Sequence, residues 1–368
     1  MPQGQGVLPP GARLVHIGPH KTGTTTLQGA FHRGRRALAA HGVRYAGRTR
    51  QPAHAAAAIA GGTPVNSLEA PSMAHWEQLC AEVARAGRRR RVVVSSERFA
   101  NADDDTARAV VDGLGGKRVH VVVTLRPLLK ILPSQWQEYI KSGHHHTYEK
   151  FLDGMLRRPP YDKPTPSFWR RHRHDELVAR WAKAAGPENL TVVVVDQGDP
   201  LWQLRAFEGL LGLPDGLLEP ERDGLTNRSL TAAEVEILRQ VNQELSRSRR
   251  PAVERKLVRE ALVRELRGAY VPEKDAARIA TPAWARRAAA AVSAEMVAGI
   301  RASGVRVLGD LDSLVPAAGA DGGAGGDADR PDGPDEPDGR DAAGAARLPV
   351  SAVYAAVAGA LAAADPSA

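Results

Sequence analysis

The 368-residue sequence holds one cysteine, Cys80, so no internal disulfide can form. Aromatic residues make up only 5% of the chain. None are interleaved with the short basic run at 88–91, which leaves no stacking platform for single-stranded nucleic acid. No run of about 18 consecutive apolar residues exists, so a membrane span is not expected. The first residues, MPQGQGVLPPGARL, lack the basic-then-apolar order of a secretion signal, and a cytoplasmic protein is expected. Lysine is scarce, at nine of 50 basic residues, beside abundant alanine and glycine. That bias reads most of the +8 net charge as ordinary solvated surface rather than a footprint for a polyanion.

What is present is enough to build a sizeable core, with 43% hydrophobic residues. Short β-branched runs at 14–18, 91–96, 119–125 and 190–196 read as strands apolar on both faces. Between them, 24–41, 73–87, 103–114, 131–142, 174–185 and 200–212 have helical spacing, several opening at Thr, Ser or Asp. Alternating strands and helices imply an α/β fold with a doubly wound parallel sheet flanked by helices, whose ligands bind beyond the carboxyl ends of the strands. After about residue 229 the strand signal ends, and three helical patterns at 230–247, 251–269 and 283–303 are expected to pack onto the sheet. The expected organisation is a flexible N-terminus (1–12), one α/β domain (13–312), an acidic linker (313–347) and a short C-terminal helix (348–368). Residues 317–347 alone carry eight acidic and three basic residues, so the body is more basic than the total suggests.

The most informative stretch is HIGPHKTGTTTLQ (16–28), between the first strand and the first helix. Helix N-terminal N–H groups, the close turn that Gly23 permits, the charge of Lys21 and the hydroxyls of Thr22, Thr24, Thr25 and Thr26 suit phosphate or sulfate oxygens. The spacing is not GxxxxGK[ST], because Lys21 precedes the glycine. Neither the second predicted strand, ending Ser95-Ser96-Glu97, nor the third, ending Leu125-Arg126-Pro127, places an aspartate where magnesium would be held.

Lys21-Thr22-Gly23-Thr24-Thr25 resembles the 5′-phosphosulfate loop of the PAPS-dependent sulfotransferase family, Lys-(Ser/Thr)-Gly-Thr-(Ser/Thr). A second element is similar to that family in residue and spacing: an Arg closing the third predicted strand, Arg126, and a Ser eight residues later, Ser134, which in the family grip the 3′-phosphate. TYEKFLDG (147–154) and TNRSL (226–230) extend the resemblance over about residues 14–245. It implies a P-loop-like sulfotransferase fold with C-terminal helices and PAPS as donor, with no metal required. A small-molecule or carbohydrate hydroxyl (or amine) would be the acceptor, with neither nucleic acid nor membrane as partner. In the cytosolic members of that family the second strand ends in a Lys-Thr-His-like triplet with His as base. Glu97 stands at that position, and some carbohydrate and tyrosine sulfotransferases use Glu there. Lys21 and Glu97 are therefore the expected catalytic residues. Lys21, Thr22, Gly23, Thr24, Thr25, Thr26, Arg126 and Ser134 are the expected donor-binding set.

Other readings stay open at this level. His20 and His16 are rival bases, His16 also reading as core. His144-His145-His146 follow Ser142-Gly143 on a loop facing solvent or acceptor rather than converging on one ion. Trp136, Tyr139, Trp169 and Trp181 can be core or cleft, Ser134 can be a helix cap, and Arg228 is a further phosphate candidate. A P-loop small-molecule kinase and a catalytically silent nucleotide-binding module are the alternative functions.

Overall fold

The structure, a computed structural model, describes residues 6–62, 70–157, 165, 167–196, 198–220, 229–268 and 277–316. The expected C-terminal helix, nearly all of the acidic linker and Arg228 lie outside the described residues.

Strand β1 (Arg13–His16) leads into α1 (Thr24–Arg33), α2 (Arg35–Ala40) and β2 (Val43–Tyr45). Then come α3 (Ala53–Ala60), α4 (Met73–Arg85), β3 (Arg91–Ser95), α5 (Asp104–Leu114), β4 (Val119–Leu125) and α6 (Leu128–Lys141). The chain continues through α7 (Tyr148–Leu156), α8 (Phe168–His172), α9 (His174–Ala185), β5 (Leu190–Val194) and α10 (Trp202–Leu211). It ends in α11 (Ala232–Arg247), α12 (Ala252–Gly268), α13 (Ala283–Ala302) and β6 (Arg306–Leu308). All six strands are parallel, in the order β2-β3-β1-β4-β5-β6. The expected α/β parallel sheet is therefore present.

Two strands escaped the sequence pattern. β2 (VRY) and β6 (RVL) are three residues each, too short to show a period, and β6 lies beyond residue 229, where no strand was expected. The expected helix 24–41 is divided at Gly34, where the missing side chain raises the entropic cost of helix. Helix α3, AHAAAAIA, had no apolar and polar faces to detect.

The described residues divide into two compact units: those within 6–135, 152–220 and 282–316 form one, and those within 136–151 and 229–281 the other. In the first, alternate side chains of each central strand enter opposite cores. Val15, Val92, Val94, Val121, Val123 and Val192 join Trp181 and the apolar faces of α4, α5, α9 and α13. Leu14, Val93, Val122 and Val193 join Leu27, Phe31 and Phe207 from α1 and α10. A sheet covered on both faces has no solvent side, which is why its strands carry unbroken valine runs. In the second unit Asn242 of α11 donates to the carbonyls of Ile140 (2.6 Å) and His144 (2.9 Å), and the Gln137 amide pairs with both the N–H and C=O of Leu230. No helix among the described residues is long and apolar enough to cross a membrane.

Phe207 is fully buried, edge-on to both His16 (5.2 Å) and Phe31 (5.9 Å). Phe207→Ala should lower unfolding free energy by about 3–5 kcal/mol in urea denaturation. Asp103→Ala, which removes the cap bond to the Thr106 N–H at the start of α5, should cost about 1 kcal/mol in the same measurement.

Candidate functional site

The carboxyl ends of three adjacent strands meet at one place. β1 pairs with β3 on one side (His16 opposite Ser95) and with β4 on the other (His16 opposite Val122). The loop after β1, Glu97 after β3 and Arg126 after β4 are therefore neighbours by strand pairing alone, at about 4.8 Å per strand.

The loop from Ile17 to Gly23 takes backbone geometry that few residues allow. Gly18 and Gly23 have φ of 80° and 82°, and Lys21, which carries a side chain, has φ of 69°. Gly23 is the N-cap of α1 and offers no side chain to its first turn, where no acidic residue stands either. A Cβ at Gly23 would lie 2.2 Å from Gln203 Oε1, and one at Gly18 would lie 2.9 Å from Glu97 Cβ. Both glycines are required by close approach as well as by φ. The Thr25 and Thr26 side chains are exposed, Thr24 is buried and Lys21 is half-buried.

Thr22 faces the other way. It is fully buried, and its hydroxyl donates to the Pro19 carbonyl (2.7 Å) and sits 2.7 Å from Thr124 Oγ1. Its side chain belongs to the support beneath the loop. Gln203 of α10 braces the same residue by donating to the Thr22 carbonyl (3.2 Å).

Glu97 is half-buried, and each of its carboxylate oxygens accepts an amide bond. Gln28 Nε2 of α1 reaches Oε2 at 2.9 Å, and Gln51 Nε2 reaches Oε1 at 3.4 Å, while Ser96 donates back to Gln51 Oε1 (3.2 Å). Burial alone would push this carboxyl upward. His20, the Gln28 and Gln51 amides and its own backbone N–H outweigh that and hold it below the usual glutamate range. At neutral pH it is a carboxylate. Neighbouring His20 is pushed down to about 4, by burial first, against the pull of Glu97 and with Arg171, Lys21 and Arg98 adding to the depression.

Arg126 is half-buried, and its NH1 donates to the Lys21 carbonyl at 3.3 Å. Two motifs 105 residues apart in sequence are thus joined by one hydrogen bond. Ser134 differs from expectation in its setting. α6 begins at Leu128, with Ile131 N–H bonded to the Pro127 carbonyl, so the helix runs through Pro133 and Ser134 stands mid-helix rather than at a cap. Pro133 suggested a helix start, but Leu128 to Leu132 already supply apolar faces that the sheet unit buries.

His16 is wholly buried, between Ser95 Oγ (2.8 Å) and Thr124 Oγ1 (3.1 Å). Burial pushes it down to about 4, so it is neutral. The histidine run is held by its backbone: Asn242, Arg239 and Trp136 donate to the carbonyls of His144, His145 and His146. No group of metal-ligating side chains occurs among the described residues. Trp181 is core, and Trp136 is buried against Tyr148 at 5.2 Å. Sequence reasoning missed Gln28, Gln51, Thr124 and Gln203. Thr124, one of two polar residues in VHVVVTL beside His120, was the one detectable signal, because a hydroxyl in a strand buried on both faces needs partners.

No protein-family model matches this sequence, and no curated protein matches it. Among solved structures a sulfotransferase from Alicyclobacillus acidocaldarius is similar, with 15% identity, a TM-score of 0.42, and coverage of 69% of this chain and 95% of that one. A likeness of that degree decides nothing about activity, which has to be read from the side chains.

Gly23→Ala should cost about 1–2 kcal/mol for the left-handed backbone, with a further penalty from the collision with Gln203. Adding Gln203→Ala should recover only the collision part. Urea midpoints for the two single variants and the double variant measure the split.

Proposed function

We propose that this chain transfers the sulfuryl group of PAPS to a hydroxyl (or amine) of a small-molecule or carbohydrate acceptor. The observation that carries the reading is the bond from Arg126 to the Lys21 carbonyl, which joins the two sequence elements that resemble the PAPS-binding motifs. Further support comes from the uncapped N-terminus of α1, turned at Gly23 and flanked by Lys21, an arrangement that favours anionic oxygens.

PAPS, when bound, supplies an activated sulfuryl group and the leaving phosphate of adenosine 3′,5′-bisphosphate. Lys21 and the first N–H groups of α1 offer positive potential where negative charge gathers on that phosphate. Arg126 presents a planar fork to a phosphate, with Ser134 two turns along α6 as the second candidate contact. Glu97, ionised and pinned on both oxygens, accepts the proton of the attacking acceptor. The new bond joins acceptor oxygen to sulfur as the sulfur–phosphate oxygen bond breaks. Positioning and charge account for catalysis in such loose in-line transfers, and a sulfuryl group carries less charge than a γ-phosphoryl, so this reading needs no metal.

Calorimetric titration with adenosine 3′,5′-bisphosphate tests the donor site. Binding is expected, and Arg126→Ala should weaken it by about 10- to 100-fold, the worth of one charge-assisted contact. Equal weakening of adenosine 5′-phosphate, which lacks the 3′-phosphate, would contradict the role given to Arg126. Dependence on ATP and magnesium would favour a kinase.

Transfer of label from PAPS, screened over sugar, phenol and peptide acceptors, tests the chemistry. Glu97→Gln should lower turnover by about 10²–10⁴-fold with binding of adenosine 3′,5′-bisphosphate retained. Because Glu97 lies below the usual glutamate range, kcat/KM should stay flat from neutrality down through that range and fall only under it. An acid limb near pH 6–7 would point to an imidazole base instead.

A further inference from the structure

Beneath the loop lies a set of polar side chains that the proposed chemistry does not touch. His16, Thr22, Ser95 and Thr124 show no exposure, and Gln28 shows 3%. Their partners are one another, the Pro19 and Gly18 carbonyls, Glu97 and, at Ser95, the Tyr45 hydroxyl, whose own proton goes to the Arg50 carbonyl, so their hydrogens can be assigned one by one.

Thr22 gives its single hydroxyl proton to the Pro19 carbonyl at 2.7 Å, so towards Thr124 it accepts. Thr124 therefore points its proton at the loop, to Thr22 Oγ1 at 2.7 Å or to the Gly18 carbonyl at 3.2 Å. Towards His16, 3.1 Å away, Thr124 can then only accept, and the hydrogen of that contact is on His16 Nε2. A neutral imidazole protonated at Nε2 has a bare Nδ1, which takes the Ser95 hydroxyl proton at 2.8 Å. Ser95 in turn accepts from Gln28 Nε2 at 3.3 Å, whose other hydrogen goes to Glu97 Oε2 at 2.9 Å. The opposite Gln28 rotamer would set its carbonyl against an ionised carboxylate, so the amide orientation follows from the charge on Glu97. Each hydrogen in the run thus finds an acceptor, and the direction is the same from Gln28 through Ser95, His16 and Thr124 to the loop.

We infer that Gln28, Ser95, His16 and Thr124 are positioning residues forming one directional hydrogen-bonded relay, with His16 as the Nε2–H tautomer, that sets the Glu97 carboxylate and the Lys21–Gly23 loop in a common register. The relay crosses β3, β1 and β4 at their carboxyl ends and is tied to α1. It thus links the side chain that would take the acceptor proton to the backbone that would hold the donor anion. Its functional meaning rests on the sulfotransferase reading, whereas its tautomer and its effect on Glu97 do not. The charged or titratable groups facing Glu97 are His20 of the loop, His16 of β1, Tyr45 of β2, adjacent Arg98 and, across His20, Lys21 of the loop and Arg171 of α8.

The test uses the full chain without ligand. Ring-nitrogen NMR, with His16 assigned by its loss in His16→Gln, should show Nε2 protonated and Nδ1 bare at neutral pH. An Nδ1–H form or an imidazolium there would overturn the relay. Carbon-13 NMR of Glu97 should show its carboxyl titrating at higher pH in Gln28→Leu, and also, by less, in Ser95→Ala, although Ser95 makes no bond to that carboxylate. An unmoved Glu97 in Ser95→Ala, in a variant that keeps its melting temperature, would reduce Ser95 to packing. Thr124→Val, isosteric but without the hydroxyl, should weaken adenosine 3′,5′-bisphosphate by about tenfold, and Thr124→Ser should restore it. Unchanged binding in Thr124→Val would detach the loop from the relay, and should that variant fail to fold, the wild-type tautomer and Ser95→Ala still decide. If the wild-type protein binds no adenosine 3′,5′-bisphosphate at all, the proposed function falls, while the NMR results judge the relay separately.

Discussion

Polar side chains buried beneath the loop after β1 must find their partners within the protein, because an unpaired polar group there carries its full desolvation cost. That constraint organises the centre of this protein. Residues 17–23 must be fixed from below and from the side, and the means are a buried hydroxyl, a neutral imidazole and an amide: Thr124 under Thr22, His16 between two strands, and Gln203 on the Thr22 carbonyl. Groups with no charge suit the purpose, because a buried ion there would cost several kcal/mol to desolvate.

The parallel sheet makes this economical in chain length. Three neighbouring strands end together, so residues 16, 95 and 124 are brought within hydrogen-bonding distance by pairing that the valine runs already secure. The same ends project Lys21, Glu97 and Arg126 above the apolar layers. The buried supports and these three charged residues therefore share strands, so residues in loops and turns are held by rigid elements.

The electrostatics of Glu97 follow from the same plan. A half-buried glutamate is ordinarily pushed towards its neutral form, but two amides and a neighbouring histidine keep this one charged. It stays ionised at neutral pH, with both oxygens held by amides.

Local pattern determined a good deal. Valine runs placed the four longer strands to within two residues and helical spacing placed most long helices, because these signals depend on neighbours in sequence. Ser134 shows the limit of such signals. A proline before a serine suggested a helix start, and the apolar side chains of residues 128–132, which only burial makes consequential, carried the helix through it. The pairing of Gln28 with Glu97, of Gln203 with Thr22 and of His16 with Thr124 had no local trace, since partners 69, 181 and 108 residues apart meet only once the strand order is set. Sequence by itself determined the four longer strands, most of the long helices and the α/β class. Tertiary structure alone decided which polar side chains support the loop after β1, because hydrogen-bond partners in a buried layer are chosen by the register of the sheet.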